Sequence, residues 1–381
     1  MVKRQFKNSG EYVSLLGYGA MRFPALPDSK LIDEEKSLDL IDHAYKSGIN
    51  YFDTAYFYHE QASEGFLKKA LSRYPRESFF LADKMPPGEI NCEEDLNRVF
   101  EEQLERCGVN YFDYYLIHFV TKRTIDRIVK HNFHGVLKRK QKEGKIRNFG
   151  FSFHDRPEFL ADFVDKYEFD FAQIQLNYLD WEQQEAKKCY EVLTKRGIPV
   201  IVMEPVRGGS LVNLLPDDAV KIFKEADPNA SVASWAIRFA ASLPNVFCVL
   251  SGMTTMDQLV DNVNTLSDFK PLTEPEYAVI GRVLEAYRRA GAVPCTACNY
   301  CSGCPAGVDI PRVIGVYNQY KNNKSSFQFT LHNRILGEDR LADSCVACGV
   351  CSKHCPQGID IPATMKEISG LMDAIKLEAK K

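Results

Sequence analysis

The sequence predicts an α/β chain: a (β/α)8 TIM barrel followed by a small, mainly helical C-terminal domain rich in cysteine. Three observations carry this reading. Before about residue 285, apolar β-rich runs alternate eight times with amphipathic stretches of helical spacing, over the roughly 250 residues such a barrel takes. No GxGxxG follows an early strand, which counts against a doubly wound dinucleotide-binding sheet. Eight of the twelve cysteines fall between Cys295 and Cys355. A secreted disulfide framework would not leave a long cysteine-poor stretch ahead of one dense cluster, so the cluster reads as metal ligation in a reducing compartment.

The predicted strands are 15–23, 50–55, 79–85, 111–118, 146–154, 169–178, 198–205 and 245–253. Helical spacing shows at 33–47, 63–72, 93–106 and 182–195. The opening residues 6–13, around Asn8-Ser9-Gly10, read as a β-hairpin closing the barrel's N-terminal end, where no chemistry is expected. Residues 276–289 read as a helix, 320–329 as a polar loop and 362–381 as a terminal helix. The expected domains are therefore 1–285 and 286–381.

Composition agrees: 45% hydrophobic and 26% charged residues describe an ordinary globular chain and exclude disorder as its main state. Lys+Arg at 48 against Asp+Glu at 51 leaves a net charge of −3, so no basic excess drives binding to nucleic acid or a membrane surface. No apolar run approaches a membrane span and the first residues lack a signal-peptide core, so the expected address is the cytoplasm.

The cysteines form an internal repeat: Cys295, Cys298, Cys301 and Cys304-Pro305, then Cys345, Cys348, Cys351 and Cys355-Pro356. Three cysteines at x2 spacing wrap three corners of an iron–sulfur cubane, and a fourth, before proline, reaches the other cluster in two-cluster ferredoxins. The expected sets are Cys295, Cys298, Cys301 and Cys355 on one 4Fe–4S cluster, and Cys345, Cys348, Cys351 and Cys304 on the second. Two zinc sites of four thiolates each are the competing reading; zinc ribbons usually carry two well-separated CxxC pairs. The region resembles dicluster ferredoxins of the α-helical type. Cys92, Cys107, Cys189 and Cys248 read as core residues.

Barrel chemistry sits at the C-terminal strand ends. Those ends hold Asp53, with Tyr58 five residues on, then Lys84 and His118. A Tyr is a poor proton donor near its ordinary pKa of about 10, and a Lys ammonium beside it favours the phenolate. In this reading Asp53 holds Lys84, Lys84 tunes Tyr58, and His118 orients a carbonyl or assists the proton. His59 and His154 are read evenly as substrate-facing or as loop residues.

The stretch Asp53-Thr54-Ala55-Tyr56-Phe57-Tyr58, with Ser63-Glu64 after it, resembles the aldo-keto reductase signature. Lys84 and Tyr115-Leu116-Ile117-His118 resemble the rest of that family's catalytic tetrad, and Gly150-Phe151-Ser152, Gln173 to Tyr178 and Glu204 to Gly209 its later strand ends. Residues 286–381 resemble the iron–sulfur extension of a subgroup. The resemblance implies a nicotinamide cofactor, hydride transfer to a carbonyl, and Tyr58 as proton donor. It also implies that Ser152, Gln175 and Met203 meet the nicotinamide. Backbone N–H groups of Arg207-Gly208-Gly209 and Ser251-Gly252-Met253 suit phosphate, and the last segment runs on to Asn262. Phe153 stands where the family often has Asn. Gly252 and Gln258 stand where NADP-using members carry Lys and Arg, which leaves the choice between NADPH and NADH open.

A hydride carries two electrons and a cubane usually passes one, so coupling them normally needs a flavin or similar converter; no flavin motif is readable. The leading expectation is an oxidoreductase acting on a small carbonyl or alcohol, with clusters relaying electrons to or from a protein partner. The alternatives are a ferredoxin-linked reductase whose clusters feed the substrate directly, and a non-enzymatic electron carrier or redox sensor.

Overall fold

The computed structural model describes residues 1–378 except 8, 9, 28, 327, 328, 332 and 334–339. Its first strands, Lys3–Gln5 (β1) and Tyr12–Ser14 (β2), pair antiparallel with Lys3 opposite Ser14. The hairpin is thus set wider than residues 6–13; the expected turn residues Asn8 and Ser9 lie outside the described residues.

Eight parallel strands follow: Leu16–Gly19 (β3), Tyr51–Asp53 (β4), Phe80–Met85 (β5), Phe112–Val120 (β6), Ile146–Phe153 (β7), Phe171–Gln175 (β8), Val200–Met203 (β9) and Val246–Ser251 (β10). They close in the order β10-β3-β4-β5-β6-β7-β8-β9, one strand for each predicted run. Covered on both faces, they are buried almost throughout and do not alternate between buried and exposed residues. Two glycines mark where the wall is tightest. A Cβ on Gly150 in β7 would stand 2.6 Å from the Phe171 carbonyl oxygen in β8, and one on Gly17 in β3 would stand 2.6 Å from Leu250.

Phe6, between the hairpin strands, is buried among Tyr51, Tyr114, Phe171 and Phe247. Its ring centroid lies 5.4 Å from Tyr114 and 4.8 Å from Phe247. Those partners start or lie early in their strands, so the hairpin plugs the N-terminal end and leaves the other end for chemistry. Among the described residues no helix is long and apolar enough to cross a membrane.

Packing divides the chain into two compact units, Met1–Pro205 with Ser234–Leu272, and Val206–Ala233 with Thr273–Lys381. The barrel strands all belong to the first. In the second, helix Asp217–Ala226 packs on helix Glu274–Ala290, with Arg289 bonded to Asp218 at 2.9 Å. Its other long helices are Ile310–Asn323 and Ile361–Glu378. The first runs into the stretch expected to be a loop. It ends where Lys324 turns left-handed (φ 55°) and its N–H donates to the Tyr320 carbonyl at 2.7 Å. Val313, Ile314, Tyr317, Ile361, Met365 and Ile368 form this unit's buried core.

Candidate active site and cysteine-lined cavities

The four strand-end residues meet at the C-terminal mouth of the barrel. Lys84 is buried at the end of β5, and its Nζ donates to Asp53 Oδ1 and to the Thr54 carbonyl, each at 2.6 Å. The same Nζ lies 3.5 Å from Tyr58 Oη and 5.0 Å from the centre of its ring. His118, on β6, meets the Tyr58 ring edge-on with centroids 6.3 Å apart.

The electrostatics differ from the sequence expectation in one respect. Burial pushes the Tyr58 phenol well above its ordinary pKa, and Asp53, Glu204 and Asp83 add to the rise. Lys84, paired with Asp53 at 2.6 Å, does not reverse that rise. Tyr58 therefore keeps its proton on Oη at neutral pH. Burial also raises Asp53, opposed by Lys84. His118 is driven well below the ordinary His range by burial, by Lys84 and by His154, and is a neutral imidazole. His154 follows, pushed down to about 4 by burial and Lys84. It lies against Phe119 with centroids 4.7 Å apart. His59 instead accepts from the Phe23 N–H at 3.1 Å and anchors the loop after β3.

A buried polar shell that sequence reasoning missed holds Lys84 from behind. Side chains alternate along β5, so Asp83 points away from Lys84 toward the surrounding helices. Asp83 Oδ1 accepts from the Lys84 N–H at 2.8 Å, and Oδ2 lies 3.6 Å from Cys107 Sγ. Gln103 Nε2 donates to the Lys84 carbonyl at 3.2 Å and to Glu64 at 2.9 Å. Glu64 also pairs with Arg106 at 3.1 Å. Burial and the neighbouring Glu64 carboxylate push Asp83 well up. The sequence signal was there: Gln103 interrupts the apolar stripe Leu96, Val99, Phe100, Leu104 of helix Glu93–Cys107.

The residues expected to meet a nicotinamide fall at the ends of β7 to β10 and in the segments after them. Ser152 Oγ accepts from the Phe119 N–H at 2.8 Å, and Gln175 donates to Asp180 at 2.7 Å. Met203, the last residue of β9, receives Gln173 Nε2 on its sulfur at 3.7 Å. Ser251 and Asn262 bond at 2.9 Å, the Met253 carbonyl accepts from Tyr18 Oη at 2.9 Å, and Gln258 Oε1 accepts from the Thr254 N–H at 2.8 Å. A cation does stand beside Gly252, supplied by another loop. A Cβ on Gly252 would lie 3.1 Å from the Arg22 side chain, and Arg22 pairs with Glu204 at 3.3 Å. Arg207, Gly208 and Gly209 belong to the second unit. All three are left-handed, with φ of 53°, 63° and 88°.

The cysteines sort into two sets of four. Cys295, Cys298, Cys301 and Cys355 line one void, with Ile314, Gln357 and Ile359. Cys304, Cys345, Cys348 and Cys351 line another, with Val308 and Met365. Left-handed residues between the cysteines (Ala297, Asn299, Gly303, Ala347, Gly349) turn the chain so that the thiols converge. After each fourth cysteine the repeat folds alike. Gly307 and Gly358 are left-handed, their N–H groups donate to the Cys304 and Cys355 carbonyls at 3.0 and 3.2 Å, and a helix starts at Ile310 or Ile361. Among the described residues no three His, Cys, Asp or Glu side chains are grouped tightly enough for a single metal ion. Thiols spread around a void fit a larger cationic group such as a cubane. Burial pushes Cys295 up to about 11 and Cys301 up to about 12.

All twelve cysteines are free of disulfides. Cys107, Cys189 and Cys248 are buried as expected, but Cys92 is exposed. It caps helix Glu93–Cys107, with Asp95 Oδ2 accepting from its N–H at 3.3 Å.

Barrel and mouth together define an oxidoreductase built on a TIM barrel. The chain belongs to the aldo/keto reductase family: the sequence profile described as "Aldo/keto reductase family" matches residues 15–285, and that of a 4Fe-4S dicluster domain matches residues 294–359. Among curated relatives, L-galactose dehydrogenase of Arabidopsis thaliana is 25% identical over 289 residues, covering 71% of this chain and 89% of that protein. The NADH-specific methylglyoxal reductase of Escherichia coli (strain K12) is 23% identical over 300 residues, covering 68% and 90%. Among solved structures, the holo form of an aldo-keto reductase from Bacillus halodurans superposes with a TM-score of 0.61 at 25% identity, covering 74% of this chain and 96% of that one.

Proposed function

We propose that the barrel reduces a small carbonyl compound, or oxidises the corresponding alcohol, with Tyr58 as general acid and base. The observation that carries this reading is the buried Lys84 ammonium, bonded to Asp53 at 2.6 Å and set 3.5 Å from Tyr58 Oη. In reduction Tyr58 Oη gives its proton to the substrate oxygen. Lys84, kept charged and in place by Asp53, then faces the phenolate left behind and stabilises it. Neutral His118 hydrogen-bonds the substrate oxygen and orients it toward Tyr58. When bound, NADPH or NADH supplies or accepts the hydride. Ser152, Gln175 and Met203 would hold the nicotinamide, and the backbone of Ser251, Gly252 and Met253, with Gln258 and Asn262, its phosphates and ribose.

The two thiol sets would each hold a 4Fe–4S cluster, Cys295, Cys298, Cys301 and Cys355 on one, and Cys304, Cys345, Cys348 and Cys351 on the other. Such clusters exchange single electrons, here with a protein partner. The enzyme is read as cytoplasmic, with functional segments near 1–285 and 286–381.

Replacing Tyr58 by Phe removes the proton at Oη while keeping the ring. Carbonyl reduction is expected to fall by about 10²-fold or more, within the range a positioned general acid contributes, with nicotinamide affinity unchanged. Turnover at the wild-type rate would exclude the role. A second reading, in which clusters reduce the substrate without a nicotinamide, is favoured by the engagement of Ser152 and Gln175 with Phe119 and Asp180. Calorimetric titration with NADH and NADPH separates the two, because binding of either argues against it.

A further inference from the structure

One charged side chain in the second unit is used by none of the chemistry above. Arg207 is 1% exposed, among the largest fully buried side chains of the protein. It is a non-glycine residue at φ 53°, between Val206 and two left-handed glycines, in a conformation L-residues rarely adopt without compensation. Its Nη2 donates to Gln357 Oε1 at 3.2 Å, across 150 positions of sequence. Gln357 lies two residues beyond Cys355 and lines the void formed by Cys295, Cys298, Cys301 and Cys355. Gln357 does not line the void of the other four cysteines, and Arg207, which lines neither, reaches the first through Gln357.

A guanidinium keeps its charge at every accessible pH, and in a buried setting that charge is weakly screened. A 4Fe–4S cluster gains one negative charge on reduction, and nearby fixed charge and hydrogen bonding are among the levers that set its potential. We propose that Arg207 is a positioning residue that raises the reduction potential of the cluster held by Cys295, Cys298, Cys301 and Cys355 above that of the second cluster. Gln357 fixes the guanidinium, and the left-handed backbone at 207 to 209 aims it. The two clusters are then unequal, and an electron entering the pair settles on the first. This inference rests on the two-cluster reading and adds an order to it.

The test uses full-length protein purified anaerobically, as wild type, Arg207→Gln, Arg207→Met and Arg207→Lys. Iron is counted, and both midpoint potentials are followed by paramagnetic resonance during a redox titration. Wild type is expected to show two separated midpoints. Arg207→Gln and Arg207→Met are expected to shift the upper midpoint negative and leave the lower one in place, while Arg207→Lys, which keeps the charge, retains most of the separation. Unmoved midpoints at wild-type iron content overturn the proposal. So does a lysine variant that behaves like the glutamine one, since charge is then not the lever. Loss of about four irons per chain, one cubane, in both uncharged variants would make Arg207 merely structural and overturn it as well. Wild-type protein without iron would instead sink the two-cluster reading itself.

Discussion

At the residue scale, the site depends on which charge each group is allowed to carry. Lys84 and Asp53 answer one another in a buried pair, Tyr58 keeps its proton, and His118 and His154 are neutral. The histidines give a pH signature. Unfolded, His154 titrates near 6.5; folded, it titrates near 4. Between those values the unfolded chain binds more protons, so stability falls as pH falls through the window, and His118 adds to the same sign. Denaturant unfolding at pH 7.5 and at pH 5 is expected to show a loss in wild type that shrinks in His154→Gln. A slope identical in both would show that His154 is not held neutral. Asp53, Lys84 and His118 were legible as candidates because each falls at or near the C-terminal end of an apolar run. The protonation state of Tyr58 was not, since it depends on burial and on Glu204 and Asp83, far away in sequence.

At the element scale, the strands were legible because a doubly covered parallel strand must be apolar along its length. Their C-terminal ends were legible because polar residues there break the run. The helix ends were less so, as helix Ile310–Asn323 shows by continuing through polar residues until Lys324 turns left-handed. The tight contacts between strands were hidden too. Gly150 reads as an ordinary strand glycine, yet its Cα faces the Phe171 carbonyl oxygen, an atom of the backbone ladder that cannot swing aside. Gly150→Ala is expected to destabilise by about 1–3 kcal/mol through overpacking, measured by urea unfolding. An effect within about 0.5 kcal/mol, the range of an ordinary surface change, would mean that β7 and β8 separate more easily than their packing implies.

At the scale of the whole molecule, one chain carries a hydride-type barrel and a cysteine-rich helical unit. The count of metal centres is a whole-chain property. Anaerobic protein is expected to be brown and to contain about eight irons, four for each predicted cubane. Colourless protein, or about one zinc for each set of four thiols, would reverse the assignment. The sequence by itself determined the class of fold and singled out the strand-end residues and the cysteine repeat, because periodicity, motif order and spacing are local. Only the tertiary structure decided that Tyr58 stays protonated, that Asp83, Glu64 and Gln103 brace Lys84, that Cys92 is a surface cap, and that Arg207 turns to Gln357. Those outcomes follow from burial and from contacts between residues far apart in the chain, which local pattern does not encode.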